Sequence, residues 1–167
     1  ADLEGMVLRT PSNSLYVEFF TACGANATPM SFSEVYNALQ LNTLDGQENP
    51  VDVPATNNFY EVQKYISISN HVYEAFTWMA NSNNFNKLNA DTQALIRECV
   101  EEACKEMNQT LIAEEADLKT KFAEENGCEI YEFTDEDVAE FTAVVQPVID
   151  EYKEIYGADA CAAFGIE

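Results

Sequence analysis

Apolar residues fall first in short runs broken by turn formers and later at helical spacing, and this change of period predicts the order of elements. The run Met6-Val-Leu8 ends at Arg9, just before Pro11, and reads as a strand over Val7 to Arg9. A helix is expected near Ser14 to Ala22, stopped by Gly24, then a short strand near Thr28, a helix from Phe32 to Leu41 and a strand near Gly46 to Glu48. Ser31 with Glu34 fits a capping box at the start of the second helix, and Asp45-Gly46 and Asn49-Pro50 are turn dipeptides. Asn57 to Lys64 reads as a short turn or helix before a strand at Tyr65 to Ser69. Val72 to Met79, with Tyr73, Phe76, Trp78 and Met79, reads as a further strand.

From Asp91 to Glu125 the residues Leu95, Ile96, Val100, Ala103, Met107, Leu111, Leu118 and Phe122 keep near-helical spacing, and Gly127 supplies the stop. One helix of about 35 residues, roughly 50 Å long, is expected. Glu114-Glu115 interrupts the seam that a coiled coil would need. Cys128 to Phe133 then returns as a strand, and Thr134 with Asp137 caps a helix to about Tyr156, bent at Pro147. Strands alternating with helices make this an α/β chain.

A hydrophobic fraction of 47% suffices for a core, and no apolar run approaches the ~20 residues of a membrane span. Thirty acids against eight basic residues give a formal charge of -22, which repels nucleic acid phosphate and anionic membrane surfaces. An acidic protein that binds an anion must do so locally. Arg9, the only Lys or Arg before Lys64, is therefore the first candidate: a guanidinium at the end of an apolar strand needs an anionic partner, and its fork matches a carboxylate. That partner is either a ligand, bound where α/β sheets bind them, or a nearby acid such as Glu34 or Glu48.

The five cysteines, Cys23, Cys99, Cys104, Cys128 and Cys161, are odd in number, which excludes a complete internal disulfide framework. Their spacing and the distant single histidine do not suit zinc, so they read as buried free thiols. In an exported protein such thiols suggest an anaerobic or weakly oxidising setting. The acidic runs lack the calcium-loop pattern and read as solvated helix faces, so no metal or other cofactor is expected. No Ser-His-Asp pattern and no phosphate-cradling glycine loop are present, and no catalytic residue is assigned. Asn26-Ala-Thr28 and Asn108-Gln-Thr110 match the glycosylation pattern by chance.

Read in order, Gly5-Met-Val-Leu-Arg-Thr-Pro, Gly24-Ala-Asn-Ala-Thr-Pro-Met-Ser-Phe-Ser-Glu-Val-Tyr-Asn-Ala-Leu-Gln, Asp45-Gly-Gln-Glu-Asn-Pro and Phe59-Tyr-Glu-Val-Gln-Lys-Tyr resemble the DctP-type solute receptors of TRAP transporters. The resemblance runs on through Asn70-His-Val-Tyr73 and, more loosely, through the long helix. It implies the periplasmic-binding-protein-like (type II) fold, two lobes that close on a small organic acid and pass it to membrane permease subunits. It places the carboxylate-pairing arginine on Arg9, the packing aromatic on Phe32 and the pocket asparagine on Asn49. Ser12 and Asn13 follow in a loop that touches ligand, and His71 falls near the lobe crossing with a water-mediated or hinge role.

Full receptors of this kind are roughly twice as long, so the chain reads as a C-terminal half with one long lobe-bracing helix. Residues 1–70 and 116–167 would then form the C-terminal ligand-binding lobe, and 71–115 a crossing strand and helix that complete the N-terminal lobe. An isolated chain of this kind is expected to bind weakly, or only alongside a second polypeptide. Ala1 to Gly5 carries no export signal, which is expected upstream; the resemblance implies a periplasmic or lipid-tethered location. Two other readings stand beside this one: a ligand-sensing protein that shares the receptor fold, and an enzyme acting on an organic acid with Glu48 as base.

Overall fold

The structure, a computed structural model, describes residues 2–73 and 76–165. Its first sheet is parallel and places β1 (Val7–Thr10) between β2 (Asn26–Pro29) and β3 (Gly46–Gln47). The register sets Arg9 opposite Thr28 on one side and Gln47 on the other. Parallel strands need crossovers, supplied by α1 (Ser14–Ala22) between β1 and β2 and by α2 (Phe32–Gln40) between β2 and β3. The order β2-β1-β3 brings the loops after all three strands to one edge of the sheet.

Local chemistry explains these boundaries. Asn13 Oδ1 accepts a hydrogen bond from Leu15 N at 3.0 Å and so starts α1, while Gly24 at φ 91° takes the left-handed turn that ends it. On α2, Val35, Ala38 and Leu39 lie three and four residues apart on one face and close a core with Leu44 and Phe59. Leu8, Phe20 and Ala25 form the core between β1 and α1. The capping box expected at Ser31 and Glu34 is not formed. Ser31 Oγ turns instead to Ser33 Oγ at 3.1 Å, and α2 begins without a side-chain cap.

Beyond β3 the chain forms α3 (Asp52–Thr56), a 3-10 turn at Phe59–Glu61, and β4 (Tyr65–Ile68). It continues through α4 (Ser82–Phe85), α5 (Ala90–Glu124), β5 (Glu129–Glu132), α6 (Asp135–Tyr156) and α7 (Ala158–Ala163). Strands β4 and β5 pair in parallel with Ile66 opposite Ile130, a second sheet whose crossover includes the 35-residue α5. Phe122 is the only buried residue on α5 among those described. Helix α6 starts with the expected capping box, Thr134 Oγ1 accepting from Asp137 N at 3.2 Å and Asp137 Oδ2 from Thr134 N at 2.7 Å, and it continues across Pro147. It packs on α1 through Phe141 and Phe19, and through Tyr152 Oη and Ser14 Oγ at 2.8 Å.

Two further expectations need correction. The strand expected at Val72 to Met79 does not form in its described part; its residues 74 and 75 lie outside the described residues. Val72, Tyr73, Phe76, Trp78 and Met79 are all exposed and pair with no strand among the described residues, and a β-branched and aromatic run becomes a strand only where a neighbouring edge receives it. The free cysteines are not uniformly buried either: Cys128 is, Cys99 is exposed, and Cys23, Cys104 and Cys161 are half-buried. A cysteine on a helix with a single buried residue has no core to enter.

Candidate anion site

Arg9 is one residue from the C-terminal end of the central strand, and its side chain is only 5% exposed. Its Nε and Nη2 donate to the Met30 carbonyl at 3.1 and 2.9 Å, and the Met30 N–H in turn donates to Thr10 O at 3.1 Å, which locks the β2–α2 loop onto β1. Both bonds leave from one edge of the guanidinium toward a neutral acceptor. An arginine has five N–H donors, so three remain at the distal end without a hydrogen-bond partner among the described residues. The ring of Phe32, in the first turn of α2, lies with its centroid 5.9 Å from Arg9 Cζ and contacts Phe59.

Burial pushes the Arg9 guanidinium down from its ordinary value and the charge of Glu48 pulls it back up. It stays a cation at neutral pH, because arginine does not deprotonate in proteins. Of the two acids considered as internal partners, Glu48 is the one that acts on it; Glu34 is exposed in the first turn of α2. Glu48 and Asn49 directly follow Gln47, the residue in register with Arg9, and the Asn49 amide donates to Gln47 Oε1.

Glu48 also faces His71, with Oε2 3.8 Å from Nε2. His71 Nδ1 is 2.7 Å from Ser69 Oγ, and the ring lies among Phe19, Phe20 and Phe141 at centroid distances of 5.7, 5.4 and 6.5 Å. Burial lowers its pKa, so the imidazole is neutral at pH 7. Its Nε2 is buried without a hydrogen-bond partner among the described residues.

The structure thus brings Arg9, Phe32 and Asn49 to one edge of the sheet and ties His71 to them through Glu48. Ser12 and Asn13 lie in the loop after β1 at that same edge, where Ser12 is exposed and Asn13 Oδ1 is committed to the cap of α1. Sequence reasoning missed the Met30 carbonyl, Gln47, Ser69 and the aromatic walls of His71. Gln47 stands inside a motif already singled out. A backbone carbonyl leaves no trace in side-chain chemistry, and the rings of α1 and α6 meet only through tertiary packing.

The chain is 33% identical over 156 residues to the sialic acid-binding periplasmic protein SiaP of Vibrio cholerae, a match that covers 93% of this chain and 47% of that protein. It resembles the crystal structure of the sugar acid binding protein DctPAm of Advenella mimigardefordensis in complex with galactonate, with a TM-score of 0.84, 33% identity, and coverage of 92% of this chain and 49% of that one. A TRAP periplasmic solute binding protein of Polaromonas sp. JS666 bound to D-erythronate superposes with a TM-score of 0.88 and 29% identity, over 97% of this chain and 52% of that one. The chain spans about half the length of the curated relatives it matches. Residues 1–155 match the DctP model, so the chain belongs to the bacterial extracellular solute-binding proteins, family 7.

Proposed function

We propose that this chain carries one side of the binding cleft of an extracytoplasmic receptor that captures a small organic acid for TRAP-type uptake. The observation that carries the reading is the buried Arg9, held by a neutral carbonyl on one edge and with its distal N–H groups free of protein hydrogen bonds among the described residues. A molecule of net charge -22 has no general attraction for anions, so a buried cation with open donors points to one specific anionic group. The N-termini of α1 and α2 open onto the same edge and add positive potential there. In this reading Arg9 clamps the carboxylate, Asn49 orients it, Phe32 packs the carbon skeleton, and Ser12, Asn13 and His71 border the ligand.

Two related receptors are described with sugar acids, galactonate and D-erythronate, and a carboxylate with neighbouring hydroxyls suits a cation flanked by amide groups. Residues 1–70 and 116–167 serve as the C-terminal lobe in this proposal. Residues 71–115, where Tyr73, Phe76, Trp78, Met79 and Ile112 are exposed, pack against a second lobe. Membrane permease subunits are the partners, the location is periplasmic or lipid-tethered, and the role is transport without turnover. No helix among the described residues is long and apolar enough to cross a membrane.

The test is binding of galactonate and D-erythronate at high millimolar concentration, read by ligand-observed NMR at constant ionic strength. Binding by the wild type and its loss in Arg9→Ala are expected. Truncating one partner of a desolvated charge pair costs about 2–5 kcal/mol. Equal binding by the two proteins rejects the clamp, and consumption of the acid would mark an enzyme.

A further inference from the structure

Three charged or chargeable groups are linked at the proposed anion site: Arg9, Glu48, whose charge acts on it, and His71, which faces Glu48. The first two attract one another, and the third is the chain's only histidine. It is built into a pocket. Ser69 holds Nδ1 at 2.7 Å, α1 presents Phe19 and Phe20, and α6 presents Phe141. Glu48, from the loop after β3, is the only carboxylate within 4.0 Å of the ring nitrogens among the described residues. Glu18 on α1 and Glu140 on α6, the charged residues beside those rings in sequence, form no ion pair with the imidazole within 4.0 Å among the described residues.

At 3.8 Å the Nε2 of His71 is too far from Glu48 for a hydrogen bond, yet it is buried and has no other partner among the described residues. The neutral ring therefore leaves one polar atom unsatisfied. Protonation places a positive N–H there, facing a carboxylate across less than an ångström of excess distance.

We infer that the site is proton-coupled: a proton on His71 offsets the charge of Glu48 and so strengthens capture of the organic anion at Arg9. The inference rests on Arg9 as the carboxylate clamp and adds a regulator to it. An anion that meets Arg9 beside a neutral His71 also meets the charge of Glu48 in poorly hydrated surroundings, and a proton on His71 offsets that repulsion.

The sign follows from linkage. Anion binding favours the protonated ring, so the ligand raises the proton affinity of His71 and the proton tightens ligand binding by the same factor. Affinity is flat above the ligand-bound pKa. It rises as pH falls from there to the burial-lowered pKa of the empty site, and is flat again below it. Sugar acids remain ionised across this window, so the ligand's own charge does not contribute.

Because the chain has one histidine, its ring Hε1 proton reports the titration of His71 without ambiguity. The experiment is an NMR pH titration from about pH 8 to about pH 5, the range in which histidine changes charge. It is run without ligand and with saturating galactonate, ionic strength held by chloride, alongside galactonate affinities at both ends of the range. An upward shift of about one pH unit with ligand and an affinity about tenfold tighter at the acidic end are expected. Galactonate that binds with an unchanged His71 titration overturns the proton coupling and leaves the Arg9 clamp standing. Absence of binding at every pH, to galactonate and to D-erythronate alike, overturns both.

Discussion

A guanidinium can hold its own place and a ligand at once because its donors leave from different edges. Arg9 uses Nε and one N–H of Nη2 on the Met30 carbonyl, and the distal end keeps the paired geometry that a carboxylate matches. Lysine has a single nitrogen on a flexible stem and cannot present a paired edge to a carboxylate while it holds the Met30 carbonyl. Arg9→Lys is therefore expected to keep the charge and still lose at least tenfold in organic acid affinity, measured by titration calorimetry. Phe32→Ala removes the ring beside the cation and its contact with Phe59, and should weaken binding by about 0.5–2 kcal/mol while melting close to wild type, since Phe32 is half-exposed. The chemistry of Arg9, Phe32 and Asn49 was legible in residue type and motif. The commitment of Asn13 to a helix cap was not, because Asn serves as cap and as ligand contact with the same oxygen.

Helix α5 shows how an element can be certain in sequence and weakly held in structure. Its 35 residues match the span read from spacing, yet Phe122 alone is buried, against Tyr60, while Lys119 joins Glu132 of β5 at 3.4 Å. Phe122→Ala should destabilise the chain by about 3–5 kcal/mol in urea unfolding, near the upper range for a core truncation, because no second anchor replaces it. At the start of α6, hydrogen bonds from the Thr134 hydroxyl, from the Thr134 backbone and from the Tyr131 hydroxyl hold the Asp137 carboxyl below its ordinary range. A lowered folded value means that this contribution is complete above the ordinary carboxylate range and is lost as pH falls through the lowered one. Thr134→Ala should cost about 1 kcal/mol near neutral pH, and the gap between the thermal melts of wild type and variant should narrow, without closing, as acid protonates Asp137, since the Asp137 N–H still meets the Thr134 hydroxyl in the wild type. Strands were legible where a parallel neighbour exists, as at Val7–Thr10 and Tyr65–Ile68, and misread at Val72 to Met79, where the described residues offer none.

At the scale of the molecule, a net charge of -22 surrounds the proposed anion site. The field beyond the site repels the ligand, and salt screens such long-range fields while touching a buried contact much less. Raising salt from about 0.01 to about 0.15 M is therefore expected to speed the association of an organic acid, measured by stopped-flow, the reverse of what a basic anion-binding protein shows. A falling rate would mean that attraction to the site extends well beyond Arg9. The exposed Tyr73, Phe76, Trp78 and Met79 belong to the same scale, as the apolar surface that the proposed second lobe covers.

Periodicity, turn residues and one isolated arginine determined the α/β class, most of the element order and the candidate cation of the proposed site, because each is encoded within a few neighbouring residues. The tertiary structure alone decided which edge of the guanidinium is engaged, that Glu48 acts on Arg9 and faces His71, and that the run after β4 finds no strand partner among the described residues. Those outcomes depend on groups far apart in the chain, and on backbone carbonyls that every sequence contains and none distinguishes.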